Sequence, residues 1–191
     1  MAEYTQTHGL IKPEADDFYN IDDFNGNMDI IDSLLGGGLR NEAYLTPGTY
    51  VFTAPMSTIY KIEVTGGGGY YTGSGINGGA GAYCMDYLAL EAGQQFTITV
   101  GTGGISGSPV GGASSFGALL TAAGAGGTGS LGGVMPSAGL IRMPGGSSVQ
   151  YGGAGRNFYG TNTGGGIGTG SYGSSDATPG GVLISWIGYS A

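Results

Sequence analysis

The chain has 191 residues, of which 45 are glycine and 7 proline, with 9% charged and 10% aromatic residues and a formal net charge of −8. Glycine and proline above a quarter of a chain usually signal disorder, but disordered chains are poor in aromatics and rich in charge, so this composition points to a folded protein. No Gly-X-Y register persists, which excludes collagen, and no basic stripe exists to neutralise phosphates, which excludes nucleic-acid binding.

The charge is uneven. Nine of the 13 acids lie in the first 42 residues, against Lys12 and Arg40, so that segment carries −7 and the rest −1. Residues 1–42 read as an acidic attachment segment and residues 43–191 as a nearly neutral domain. The start MAEYTQTHGL is polar, unlike a secretory signal, and no run approaches 18 apolar residues. Synthesis in the cytoplasm without membrane insertion is expected. Cys84 is the single cysteine, so no internal disulfide holds the fold.

In chain order, Pro13 and the acids from Glu14 to Asp17 predict an extended start. Ile21, Phe24, Met28, Ile31 and Leu35 then recur at spacings of 3, 4, 3 and 4. These are heptad a and d positions, so a short helix with an oligomer or docking seam is predicted, stopped by the glycines at 36–38. An amphipathic helix packed on its own domain fits the same short pattern. From residue 44 the period becomes two. Tyr50 and Phe52 alternate with Val51 and Thr53, residues 55–57 supply a turn, and Tyr60, Ile62 and Val64 alternate with Lys61 and Glu63. This predicts a hairpin of half-buried strands. Residues 82–90, 96–100, 116–122 and 182–187 are further strands, and the whole reads as a mainly β protein, an antiparallel β-sandwich preceded by a short helix.

Glycine tracts at 66–69, 73–81, 101–107, 124–133 and 160–173 separate these strands and are too long for simple turns. One ordered solution is a lattice of polyproline-II-type helices, which have three residues per turn and no internal hydrogen bonds, packed closely through glycine and bonded to their neighbours.

The runs GTYVFTAP from Gly48, KIEVTGGGG from Lys61, GGAGAY from Gly78, LEAGQQFTITVGTGG from Leu90, GGASSFG from Gly111 and GGVLISW from Gly180 occur in this order. Together they resemble the glycine-rich domain at the ends of phage tail fibres. HGLIKP from His8 and DDFNGNMDIID from Asp22 resemble the start of prophage tail-fibre proteins. The pattern is also similar to the glycine-rich ectodomain of the anaplastic lymphoma kinase family, a comparison that bears on fold alone. The tail-fibre resemblance implies a receptor-binding adhesin, often a homotrimer, with strands framing polyglycine helices. It implies docking to a baseplate or tail protein by the N-terminus, a place on a virion or tail-like particle, and a cell-surface glycan or protein as the target. No repetitive shaft lies between Leu35 and Tyr44, so the fibre would be short.

Four stretches match G-x-G-x-x-G, at 73–78, 124–129, 127–132 and 168–173. None is followed by a convincing helix, so no cofactor is expected. His8 is the single histidine and lies in the polar start, without a scaffold for a triad or a metal. Asp16, Asp17, Asp22 and Asp23 lack EF-hand spacing and read as a solvated acidic face. Cys84 reads as a small buried hydrophobe and Trp186, alternating with Val182 and Ile184, as core. No catalytic or metal-binding residue is assigned, and no enzyme is expected. The residues that interrupt the tracts are Tyr70, Tyr71, Tyr151, Asn157, Phe158, Tyr159, Asn162 and Tyr172. Their flat apolar faces and polar tips suit sugar or protein surfaces, and they are the candidate receptor-binding tips. The competing role is to cap the lattice or a subunit interface. The competing function is a structural glycine-rich coat protein of a spore or cell surface.

Overall fold

The structure, a computed structural model, describes residues 3–6, 10–12, 21–35, 38–70, 77–126, 131–147, 166–171 and 176–188. In chain order its elements are β1 (Glu3–Tyr4), β2 (Ile11–Lys12), α1 (Ile21–Leu35), β3 (Leu39–Tyr44), β4 (Gly48–Thr53), β5 (Thr58–Thr65), β6 (Tyr83–Leu90), β7 (Gln95–Val100), β8 (Ser114–Phe116), β9 (Leu120–Ala122), β10 (Ile141–Met143) and β11 (Gly181–Ile187). The chain divides into two compact units, Met1–Arg40 with Ile187–Ala191, and Asn41–Trp186.

In the first unit β1 and β2 pair antiparallel, with Tyr4 opposite Ile11. The free edge of β2 meets the Asn27 side chain. The Ile11 N–H donates to Asn27 Oδ1 at 2.8 Å, and Asn27 Nδ2 donates to the Ile11 carbonyl at 2.9 Å. One amide thus stands in for a third strand and ties the hairpin to α1. The helix runs over the residues that the heptad spacing marks. Asp22 and Asp23 occupy its first turn, where negative charge complements the helix dipole. Phe24 and Met28 are each 46% exposed and Ile31 is half-buried. Of the described stripe side chains, Phe24 and Met28 are thus the exposed ones, on a helix whose Asn27 is engaged by β2. The side chains of Ile21 and Leu35 lie outside the described residues. Among the described residues, no helix is long and apolar enough to cross a membrane.

The second unit is built on two antiparallel sheets, ordered β10-β6-β5-β11-β3 and β4-β7-β8-β9. They face each other, with β5 against β8 and β9 and β6 against β9. Tyr60, Ile62, Val64, Val182 and Ile184 from one sheet meet Phe52, Ile98, Phe116 and Leu120 from the other. Burying such side chains contributes roughly 1.5–3 kcal/mol each, and this makes the face-to-face arrangement stable. Trp186 packs on this core, its ring 5.4 Å from Tyr60 and 6.2 Å from Phe52.

Two expectations need correction. The strands around residues 50 and 62 do not form a hairpin: β4 pairs with β7, whereas β5 pairs with β6 and β11. Each has one apolar face, and those faces bury against each other. Phe52 and Tyr60 meet edge to face at 5.8 Å across the core. The bend between them is held from elsewhere, by Ala54 N–H on the Gln94 carbonyl and Gly93 N–H on the Ala54 carbonyl. The single strand expected at 116–122 is two, β8 and β9, reversed at Gly117 with φ of +52°. That reversal sets Phe116 opposite Leu120, so both sides of the tight hairpin point inward. Strands β1, β2, β3 and β10 were not anticipated. Their residues are short or mostly exposed and carry little apolar alternation.

Candidate functional site

Both sheets hand the chain to glycine-rich segments at one edge of the core. β5 runs on into 66–70, β7 into 101–104 and β9 into 123–126; the chain returns through 77–82 into β6, 109–113 into β8 and 176–180 into β11. Residues 66–69 and 77–82 are fully buried, so their backbone groups need partners. The segments supply them to one another. N–H groups of Gly66, Gly67 and Gly68 donate to the carbonyls of Ala82, Gly112 and Thr178 at 2.9, 2.8 and 3.0 Å. Gly69 then returns to the first neighbour, at Gly79, and Tyr70 to the second, at Pro109, at 2.9 and 2.8 Å. The neighbour repeats every third residue. Carbonyls point to other segments: Gly67 accepts from Ala125, Gly68 from Gly104 and Gly69 from Ser171. The next segment has the same period, for Gly78 and Gly81 donate to Ser171 and Gly168 while Gly79 and Ala82 accept from Gly69 and Gly66. An α-helix would bond to itself and a strand to two neighbours. Here one buried segment bonds to six.

Space, rather than backbone conformation, demands glycine here. Gly66, Gly67, Gly68 and Gly78 have no left-handed φ, yet a Cβ on each would overlap the carbonyl oxygens of Ala123, Thr102, Thr169 and Gly69 respectively. The obstacle is backbone in every case and does not rotate away.

The bundle has a near end at the sheets, around Gly66, and a far end at Tyr70. At the far end Gly69 lies against Gly126 and Ser171, and Tyr70 against Gly104 and Pro109. Gly126 bonds to Leu131 and Ala177 to Gly104. The connections between 70 and 77, 104 and 109, 126 and 131, and 171 and 176 therefore all start and finish there. Residues 105–108 close a tight turn, with reciprocal 3.0 Å bonds between Ile105 and Ser108 and Gly107 at φ +86°.

Of the candidate tip residues, Tyr70 is described: it sits half-buried at this far end. Tyr71, Tyr151, Asn157, Phe158, Tyr159, Asn162 and Tyr172 lie outside the described residues. Ile105, Val110 and Leu131, none of them among the candidate tip residues, stand 48%, 57% and 61% exposed on the segments of this end. Their signal was available: each is a large apolar residue in a glycine- and serine-rich run with no strand period. Asp176 supplies the charge there among the described residues, so the described surface is nearly neutral.

No family model matches this chain, and no curated protein matches it.

Two buried polar features elsewhere are structural in their chemistry. Glu63 on β5 accepts the Tyr83 hydroxyl at 2.8 Å and pairs with Lys61 Nζ at 2.9 Å. Cys84 on β6 is fully buried, and burial, with Asp86 nearby, pushes its thiol up to about 11. Because the folded value lies above the unfolded one, Cys84 supports the fold fully below about pH 9, and that support is lost as pH rises toward 11. We expect an aromatic disulfide reagent at pH 8 to label Cys84 no faster than the protein unfolds, and completely in denaturant. Rapid labelling of the folded protein would contradict this environment.

Proposed function

We propose that this protein is a short, non-enzymatic tail fibre of a phage or phage-tail-like particle. In this reading residues 1–42 dock to a baseplate or tail protein, and residues 43–191 form the head that binds a glycan or protein on a host cell. One observation carries the proposal: four connections between interlocked glycine segments, those that follow residues 70, 104, 126 and 171, start and finish at one end, away from the sheets. Rigid scaffolds with loops collected at one end commonly carry recognition there. The ordered resemblance to tail-fibre sequences supplies the biological class. The three-residue repeat of hydrogen-bond neighbours supports polyproline-II-type glycine helices as the form of the bundle. The heptad spacing along α1, with Phe24 and Met28 each 46% exposed, supports a homotrimer joined through that seam.

The near-neutral head disfavours electrostatic steering, so each site is weak and several copies on one particle raise the avidity. Replacing both Phe158 and Tyr159 with alanine is the direct test. We expect loss of particle adsorption to its host with the thermal midpoint of the protein almost unchanged. Unfolding of the double variant would make those rings core residues, and normal adsorption would put the site elsewhere.

A further inference from the structure

The outer face of the four-stranded sheet carries a row of hydroxyls. Register sets Thr49 of β4 opposite Thr99 of β7, Thr99 opposite Ser115 of β8, and Ser115 opposite Thr121 of β9. Their chain neighbours Tyr50, Ile98 and Phe116 point into the core, so the row points outward across all four strands. Val51 and Thr97 form a second row beside it. Thr49 and Thr121 are exposed and Thr99 and Ser115 half-buried, and among the described residues none of the four hydroxyls is spent on a protein partner.

We propose that this face binds a neutral polysaccharide chain, at a site lateral to the tips and independent of them. Three physical features select that ligand. The rows are uncharged in a protein of net charge −8, so an anionic or cationic polymer finds no complement on them. Threonine is stiff at χ1, which holds hydroxyl and methyl in place before binding and limits the entropy lost on contact. A sugar ring presents the matching mixture of hydroxyls and C–H faces, and successive strands lie about 4.8 Å apart, close to the length of one ring. Thr53 and Gln95 continue the same face as a third uncharged pair. A second copy of the chain is the main rival occupant, and a lower oligomer mass for the valine variants in light scattering would assign the face to it and overturn the proposal. A polymer that repeats its sugars compensates for a small site by rebinding.

Native affinity electrophoresis of the full chain tests this, in gels cast with dextran or hydroxyethyl cellulose and, separately, with anionic alginate. Retardation by a neutral polymer, exceeding that by alginate, is expected. The combined Thr49→Val, Thr99→Val and Thr121→Val variant keeps the β-branched shape and removes the hydroxyls, and should weaken retardation roughly tenfold or more. The matching serine variant should retain it. If the valine variant melts early, Thr121→Val alone, at an exposed position, should still weaken binding at least about twofold. The Phe158→Ala/Tyr159→Ala variant should be retarded like the unmodified chain, which separates this site from the tips. Failure of both neutral polymers to retard the chain, or undiminished retardation of the folded valine variants, would overturn the proposal.

Discussion

Replacing Gly68 with alanine is expected to unfold the glycine-rich domain, lowering its stability by more than about 3 kcal/mol. Gly68 is fully buried, its N–H donates to Thr178 at 3.0 Å and its carbonyl accepts from Gly104 at 2.8 Å. A Cβ there would overlap the carbonyl of Thr169, which is itself held in the bundle. Room for one methyl group can come only from moving segments 66–70 and 166–171 apart, and that stretches hydrogen bonds to several neighbours together. Domains of this size are stable by roughly 5–15 kcal/mol in total, so the loss is a large share of what exists. Gly126→Ala is the control. Its Cβ would meet Leu131 Cβ at 3.5 Å, an ordinary contact, and its φ is not left-handed. We expect it to change stability by less than about 1 kcal/mol. Urea titrations of the two variants followed by circular dichroism decide the matter. Equal, small effects would mean that the segments are not closely packed.

Removing residues 1–35 is expected to abolish incorporation into the particle while leaving a soluble head with an unchanged thermal midpoint. The head has its own core, in the unit Asn41–Trp186, so folding does not rest on the deleted helix. The deleted segment holds the heptad-spaced residues, of which Phe24 and Met28 are exposed. In the heptad frame Asp22, Asp23 and Asp29 fall at b and c positions, off the seam, and Asp32 alone of the helix's aspartates falls at e, beside it. Light scattering should report a trimer for the full chain and a monomer for the truncated one. Normal incorporation would end the docking proposal, and a monomeric full chain would end the trimer.

Local pattern made much of this architecture legible. The heptad spacing of Ile21, Phe24, Met28, Ile31 and Leu35 marked α1 to its ends, because a helix displays period 3.6 within a few turns of chain. The period-two runs marked β6, β7 and β11 to within a residue and the middle of β5, from Tyr60 to Val64, because each turns an apolar face to the core. Cys84 and Trp186 read correctly as packing residues for the same reason.

Partner choice lay beyond that pattern. Alternation says that Phe52 and Tyr60 each face a core, but it does not say whether their strands meet edge to edge or face to face. Contact between the two rings across the core resolved it. A glycine tract by itself is compatible with flexible loops, since glycine loses the most entropy on ordering. The sequence determined that these stretches can approach one another without Cβ atoms between them. Only the tertiary structure decided that they do, because Gly66, Gly67 and Gly68 find their partners at Ala82, Gly112 and Thr178, far along the chain. Register across four strands, which lines up Thr49, Thr99, Ser115 and Thr121, is likewise a property of strand pairing and not of any one run of residues.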